Sequence, residues 1–149
     1  MAVNTTKNYF GASEGDYLFK QPSQIPQSGL GLFTAIDIFE DETVAIFKGE
    51  ILSDKEAKKR ADMGFDQYFV CLWDGRILDS MHTVCWAKYA NDAKGPNVRV
   101  FKNNVHITFN ENNEVCLTAL RNIKAGEELF CAYGDAYWKR HLPSASANS

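Results

Sequence analysis

Apolar positions along this chain come mostly in runs of strand length, separated by polar turns. Leu32–Ile36 and Thr43–Leu52 are rich in β-branched and aromatic residues, which predicts two strands. Tyr68–Trp73 and Arg76–Leu78 flank Asp74-Gly75, a pair suited to a tight hairpin turn. Val105, Ile107 and Phe109 alternate with polar residues, the period of two that buries one strand face. Asn110-Glu111-Asn112-Asn113 then turns the chain into a partner strand over Glu114–Leu120. Lys124-Ala125-Gly126-Glu127 makes a further turn before a strand over Glu128–Tyr133. One helix is well marked: Ser53 caps Asp54–Met63, Glu56 completes a capping box, and Gly64 ends it. A shorter helix is predicted around Val84–Tyr89. The pattern is that of a mainly β domain made of small antiparallel pieces with short helices inserted.

The ends read differently. Residues 1–16 mix Asn, Thr, Gly and Ser with few apolar positions and are expected to be a flexible lead-in. Gln21–Ser28 is a polar, Pro-containing loop, and residues 143–149 are small and polar, as in a disordered tail. One folded domain over residues 17–142 is therefore expected.

Composition narrows the function classes. The chain has 149 residues, 45% hydrophobic and 23% charged, enough for a core without staples. A net charge of −3 and a pI of about 5.6 argue against a broad nucleic-acid surface and suit a basic partner. Cys71, Cys85, Cys116 and Cys131 form no CxxC pair, and His82, His106 and His141 share no ligand spacing, so no metal site is expected. No apolar stretch has the length of a membrane span or the look of a signal peptide, which points to a soluble protein in a reducing, intracellular compartment. Cys131 has no basic group placed to activate it and reads as a buried, inert thiol.

Four segments could carry chemistry. Gly29-Leu30-Gly31 allows a tight bend and close approach to a ligand, although taken alone a plain turn before a strand is the better explanation. Phe47-Lys48-Gly49 puts an aromatic at a strand end, where it lines a slot or simply fills the core. Lys88-Tyr89-Ala90-Asn91-Asp92 through Pro96-Asn97 has the composition of a loop. Within it, Asn91 offers both a donor and an acceptor to an amino-acid group. Gly126-Glu127-Glu128-Leu129 leads to Tyr133-Gly134, with Tyr137 and Trp138 close behind.

The order and spacing of these four segments resemble the SET domain of protein-lysine methyltransferases. The family pattern is a GxG, a Y-x-G after the next strand, an R-F-x-N-H-S-x-x-P-N loop and a closing G-E-E-L-x-x-x-Y-G. The end of the chain is similar to that of the very small viral-type SET proteins. The resemblance spans about Gly29–Trp138 and implies a SET fold of several small antiparallel sheets, with a knot-like crossing of the Asn91 loop and the Tyr133 segment. It implies S-adenosylmethionine as cofactor, held by Gly29, Leu30, Gly31, Tyr89, Asn91, Asp92 and Trp138. It assigns catalysis to Tyr133 and a substrate lysine channel to Phe47, Tyr68, Val100, Tyr133 and Tyr137. The implied partner is a lysine-containing protein, a basic histone tail first among them. That in turn implies a nuclear site of action, with neither direct nucleic-acid nor membrane binding; a homodimer is also admitted. Two departures stand out. Asn91-Asp92 replaces the family's Asn-His, and the cysteines that bind zinc after the domain in many members are missing. Methylation of a non-histone protein and a non-catalytic binding module that keeps the fold both stay open.

Overall fold

The computed structural model describes residues 13–93 and 101–132. Within them three antiparallel sheets of three strands each enclose one main core. The first sheet is ordered β1-β2-β9, with β1 Leu18–Pro22, β2 Leu30–Thr34 and β9 Glu128–Leu129. The second is β3-β8-β7, with β3 Thr43–Ile46, β7 Val105–Phe109 and β8 Val115–Ala119. The third is β4-β6-β5, with β4 Glu50–Leu52, β5 Phe69–Cys71 and β6 Ile77–Asp79. Leu32, Val44, Val105, Leu117 and Leu129 lie fully buried where the sheets meet. Each such branched side chain contributes about 1.5–3 kcal/mol by leaving water.

The expected strands are present with one division, and of the strand expected over Glu128–Tyr133 only Glu128–Leu129 forms among the described residues. Thr43–Leu52 is not a single strand but two, in different sheets, because the chain must turn at Phe47-Lys48-Gly49. Phe47 still follows β8, its N–H donating to Val115 O at 2.9 Å. Gly49 then passes so close to the backbone of Asp79 and Ser80 that any side chain would overlap it. The Asp74-Gly75 turn does join β5 to β6, with Gly75 at φ +89° and Leu72 N–H bonded to Arg76 O at 2.7 Å.

The structure corrects three other expectations. Residues 13–16 belong to the packed fold: α1, Glu14–Tyr17, is capped by Ser13 and Asp16. The Glu14 carboxylate accepts the Ile46 N–H at 2.9 Å, and the Tyr17 hydroxyl donates to Val44 O at 2.6 Å. The predicted loop at Gln21–Ser28 begins as the end of β1, whose register runs from Leu18 opposite Thr34 to Pro22 opposite Leu30. The helix expected at Val84–Tyr89 shrinks to one 3₁₀ turn, Ala87–Tyr89. The marked helix forms as α2, Asp54–Asp62, and Ser53 Oγ accepts the Glu56 N–H at 3.1 Å. The other half of its capping box is replaced, since the Glu56 carboxylate accepts from Arg60 Nε at 2.8 Å instead.

Beyond β9 the chain is held from both sides. Cys131 N–H donates to Asn91 O at 2.8 Å, while Asn104 N–H and Val105 N–H donate to Phe130 O at 2.9 and 3.1 Å. The Asn104 carboxamide locks the same segment, accepting from Phe130 N–H at 2.8 Å and donating to Glu128 O at 2.9 Å. Residues 128–131 therefore pass between the Asn91 loop and the start of β7. This is the crossing that the family resemblance implies.

Candidate active site

The β1–β2 connection folds back on itself before the GxG segment. Ser23 N–H donates to Gly29 O at 2.8 Å, and Gly29 adopts φ +66°, a backbone conformation that glycine takes without steric cost. Leu30 O, at the start of β2, accepts a hydrogen bond from Asn91 Nδ2 at 3.1 Å. The asparagine singled out in the sequence thus bridges the GxG segment to the β9 crossing, using its side chain for one and its carbonyl for the other.

Between these elements lies a cavity of about 340 Å³, lined by Gly29, Leu30, Tyr68, Lys88, Tyr89 and Asn91 together with Ser28 and Gln67. A second, much narrower space of about 10 Å³ adjoins it, scarcely wide enough for one water. Phe47, Phe69 and Val70 line that slot, and Gln67, Tyr68 and Lys88 line both spaces. Five of the predicted site residues, Gly29, Leu30, Tyr68, Tyr89 and Asn91, therefore converge on one cavity, and Phe47 on the slot beside it.

Gly31 and Asp92 stand apart from the cavity walls. Gly31 packs against the buried Glu128 carboxylate, which occupies the space a side chain would need. Asp92 is only 7% exposed, and its Oδ1 accepts from Asn103 Nδ2 at 3.2 Å. Asn103 in turn accepts the Ala93 N–H at 2.9 Å, so this loop is clamped from the interior side. Burial, with the Asp92 carboxylate adding to it, pushes the Cys131 thiol up to about 12. That agrees with the reading of Cys131 as inert. Val100, Tyr133, Tyr137 and Trp138 lie outside the described residues.

Two cations at the site escaped the sequence reading. Lys88 Nζ donates to the carbonyls of Ser80, Met81 and Thr83 at 3.0, 3.4 and 3.1 Å, which uses all three of its protons. It also stands 5.3 Å from the Tyr68 ring centre and 5.5 Å from that of Tyr89. Lys88 was visible as the first residue of the Asn91 motif, in the place of the family's arginine, but no role was attached to it. Lys20 lies over the Tyr89 ring at 4.5 Å and over Trp86 at 5.5 Å. Nothing in the sequence marks Lys20, because no strand is predicted over Leu18–Lys20 and the rest of β1 reads as a loop.

The cavity can be tested for fit to the implied cofactor. Its volume falls in the usual range for small-molecule sites. It is walled by two tyrosines, an exposed backbone turn and a carboxamide whose oxygen takes no protein donor among the described residues. That set suits a ligand with an aromatic part and an amino-acid part. No group of His, Cys, Asp and Glu among the described residues could hold a metal ion.

Comparison with known proteins agrees with this geometry. The SET domain family pattern matches residues 29–134. The chain is 32% identical over 137 residues, 85% of its length, to the histone-lysine N-methyltransferase EZH2 of Chaetomium thermophilum. It is also 32% identical over 112 residues, 72% of its length, to an H3 lysine-36 specific histone-lysine N-methyltransferase of Homo sapiens. These curated relatives are far longer: the match covers 9% of the first and 4% of the second. Among solved structures, a humanized mutant of the Chaetomium thermophilum Polycomb Repressive Complex 2 bound to the inhibitor GSK126 superposes with a TM-score of 0.66 and 31% identity. That superposition covers 79% of this chain and 15% of the other. Fold, crossing and motif order thus agree with the sequence match, and the chain belongs to the SET-domain family.

Proposed function

We propose that this chain is an S-adenosylmethionine-dependent protein-lysine N-methyltransferase acting on a basic histone tail. The observation that carries this reading is the cavity of cofactor size, whose Tyr68 and Lys88 also border a slot walled by Phe47, Phe69 and Val70 that must widen to admit a lysine stem. The histone methyltransferase names of the relatives and the net charge of −3 support the substrate class and, with it, a nuclear site of action. Asp92, a carboxylate in place of the family's histidine, is the feature that would favour a non-catalytic module. It bonds to Asn103 and is absent from the cavity walls, which supports the enzyme.

The division of labour follows from the residues. When bound, S-adenosylmethionine supplies an electrophilic methyl on a sulfonium. Gly29, Leu30, Tyr89 and Asn91 hold the cofactor in the larger space. A free lysine amine has a pKa near 10.4 and is protonated at neutral pH, so the protein must favour the neutral form. Phe47, Tyr68, Phe69 and Val70 do this by desolvation, which penalises the charged amine. The same walls fix the stem of the substrate lysine, and positioning of this kind supplies up to about 7–11 kcal/mol of a barrier. Tyr133, which the family resemblance assigns to catalysis, orients the amine with its hydroxyl.

Radiolabelled methyl transfer onto mixed histones and onto a whole-cell lysate tests activity and substrate together. Tyr133→Phe is expected to lower turnover by about 10²–10³-fold, the usual cost of one transition-state hydrogen bond. S-adenosylmethionine should still raise its melting temperature as in the wild type. Unchanged turnover would remove Tyr133 from the mechanism. A wild-type protein that gains no thermal stability from the cofactor would overturn the enzyme reading.

A further inference from the structure

Glu128 is a carboxylate at a depth usually taken by apolar residues. It lies on β9 opposite Phe33, is 2% exposed, and its oxygens take donors from one short segment of the β1–β2 connection. Ser23 Oγ–H donates to one oxygen at 2.6 Å and Gln24 N–H to the other at 2.8 Å. Ser23 continues the chain of contacts, since its Oγ accepts the Ile25 N–H at 3.0 Å and its own N–H donates to Gly29 O at 2.8 Å. Gly29 walls the large cavity. Gly31 lies directly against the Glu128 carboxylate, and a methyl added there would overlap Oε2 and crowd Ser23 Cβ at 3.2 Å. Gly31 does not adopt a positive φ, so the demand for glycine at this position is one of space.

A buried carboxylate satisfied by a hydroxyl and an amide carries a desolvation cost that an apolar side chain in its place would avoid. What the carboxylate provides is direction: it draws the Ser23–Gly31 turn onto the strand that runs toward Tyr133. We propose that Glu128 is a positioning residue, holding the GxG turn in the shape that binds the cofactor while touching neither cofactor nor substrate. The second glycine of the motif then exists to admit that carboxylate. This inference rests on the cofactor reading of the cavity given above.

Calorimetric titration of S-adenosylmethionine into purified variants of the 149-residue chain tests it, with melting temperature and steady-state kinetics measured alongside. Glu128→Gln is expected to weaken cofactor binding about tenfold, the cost of one charge-assisted hydrogen bond, while kcat at saturating cofactor stays within about twofold. Gly31→Ala is expected to weaken binding by more. Adding Glu128→Asp to Gly31→Ala withdraws the carboxylate by one methylene and should recover binding by about tenfold. Glu128→Asp alone should bind worse than wild type. Such allele-specific rescue would not follow from a general loss of stability, and it reads the proposal even if Glu128→Gln folds poorly. Wild-type binding combined with unchanged binding in Glu128→Gln, or with no rescue in the double variant, overturns the role of Glu128 alone. Absence of binding in the wild type overturns the cofactor reading and this proposal with it.

Discussion

Around β9, polar side chains are buried and bonded to backbone. Asn104 is 1% exposed and spends both ends of its carboxamide on Phe130 and Glu128 main-chain groups, and Glu128 reaches Gln24 N–H from a similar depth. The α2 excursion is built the other way. None of its residues is buried, and Arg60 holds it down through side-chain pairs to Glu50 and Asp79, besides an i,i+4 pair to Glu56 within the helix. Arg60 holds the exposed Glu50 carboxyl below its ordinary range. The contrast separates two uses of polarity. Bonds to buried backbone fix where the chain runs, to a fraction of an ångström. Charge pairs tether an element more loosely where water competes for them, as it does at Glu50 and Glu56, and of the Arg60 partners only Asp79 is buried.

Substitutions can break this contrast or sharpen it. The largest effect is expected at the crossing: Asn104→Ala leaves a buried N–H and a buried carbonyl without partners and should lower the unfolding free energy by about 3 kcal/mol in urea denaturation. Asp79→Ala comes next. Its side chain is 1% exposed, and it both pairs with Arg60 at 2.8 Å and accepts the Met81 N–H at 3.0 Å. A loss of about 2 kcal/mol is expected, smaller because Arg60 keeps Glu50 and Glu56. Lys58→Ala removes an exposed i,i+4 pair with Asp62 and should change stability by less than about 0.5 kcal/mol. Salt at about 1 M should erase the Lys58 effect and leave the Asn104 effect intact. A Lys58 effect as large as that of Asn104 would show that the surface pairs, too, set the path of the chain.

The sequence disclosed what period and turn chemistry carry. β5, β6, β7 and β8 alternate or flank unmistakable turn residues, so their places were legible, and α2 announced itself through Ser53 and Gly64. β1 was hidden because it is an edge strand with Lys20, Gln21 and Pro22 exposed, which leaves only Leu18 and Phe19 to suggest burial. The division of Thr43–Leu52 was hidden because its cause, the backbone of Asp79 against Gly49, lies thirty residues away in sequence. At the site, ordered motifs brought out Gly29, Leu30, Tyr89 and Asn91 together. Buried carboxylates are the opposite case. Glu14 and Glu128 look like surface residues, and only the folded chain reveals the amides that wait for them.

The threading of residues 128–131 between two earlier segments has a consequence for how the protein is made. As a nascent chain leaves the ribosome, β1 and β2 emerge more than ninety residues ahead of the strand that completes their sheet. Until then Leu32 lacks its cross-strand neighbour Leu129, and the Asn91 carbonyl lacks the Cys131 amide. A chain at that stage leaves apolar side chains such as Leu32 without their native cover, the kind of surface that chaperones shield. An interrupted translation product ending before Glu128 would be a client for degradation and not a weakened enzyme.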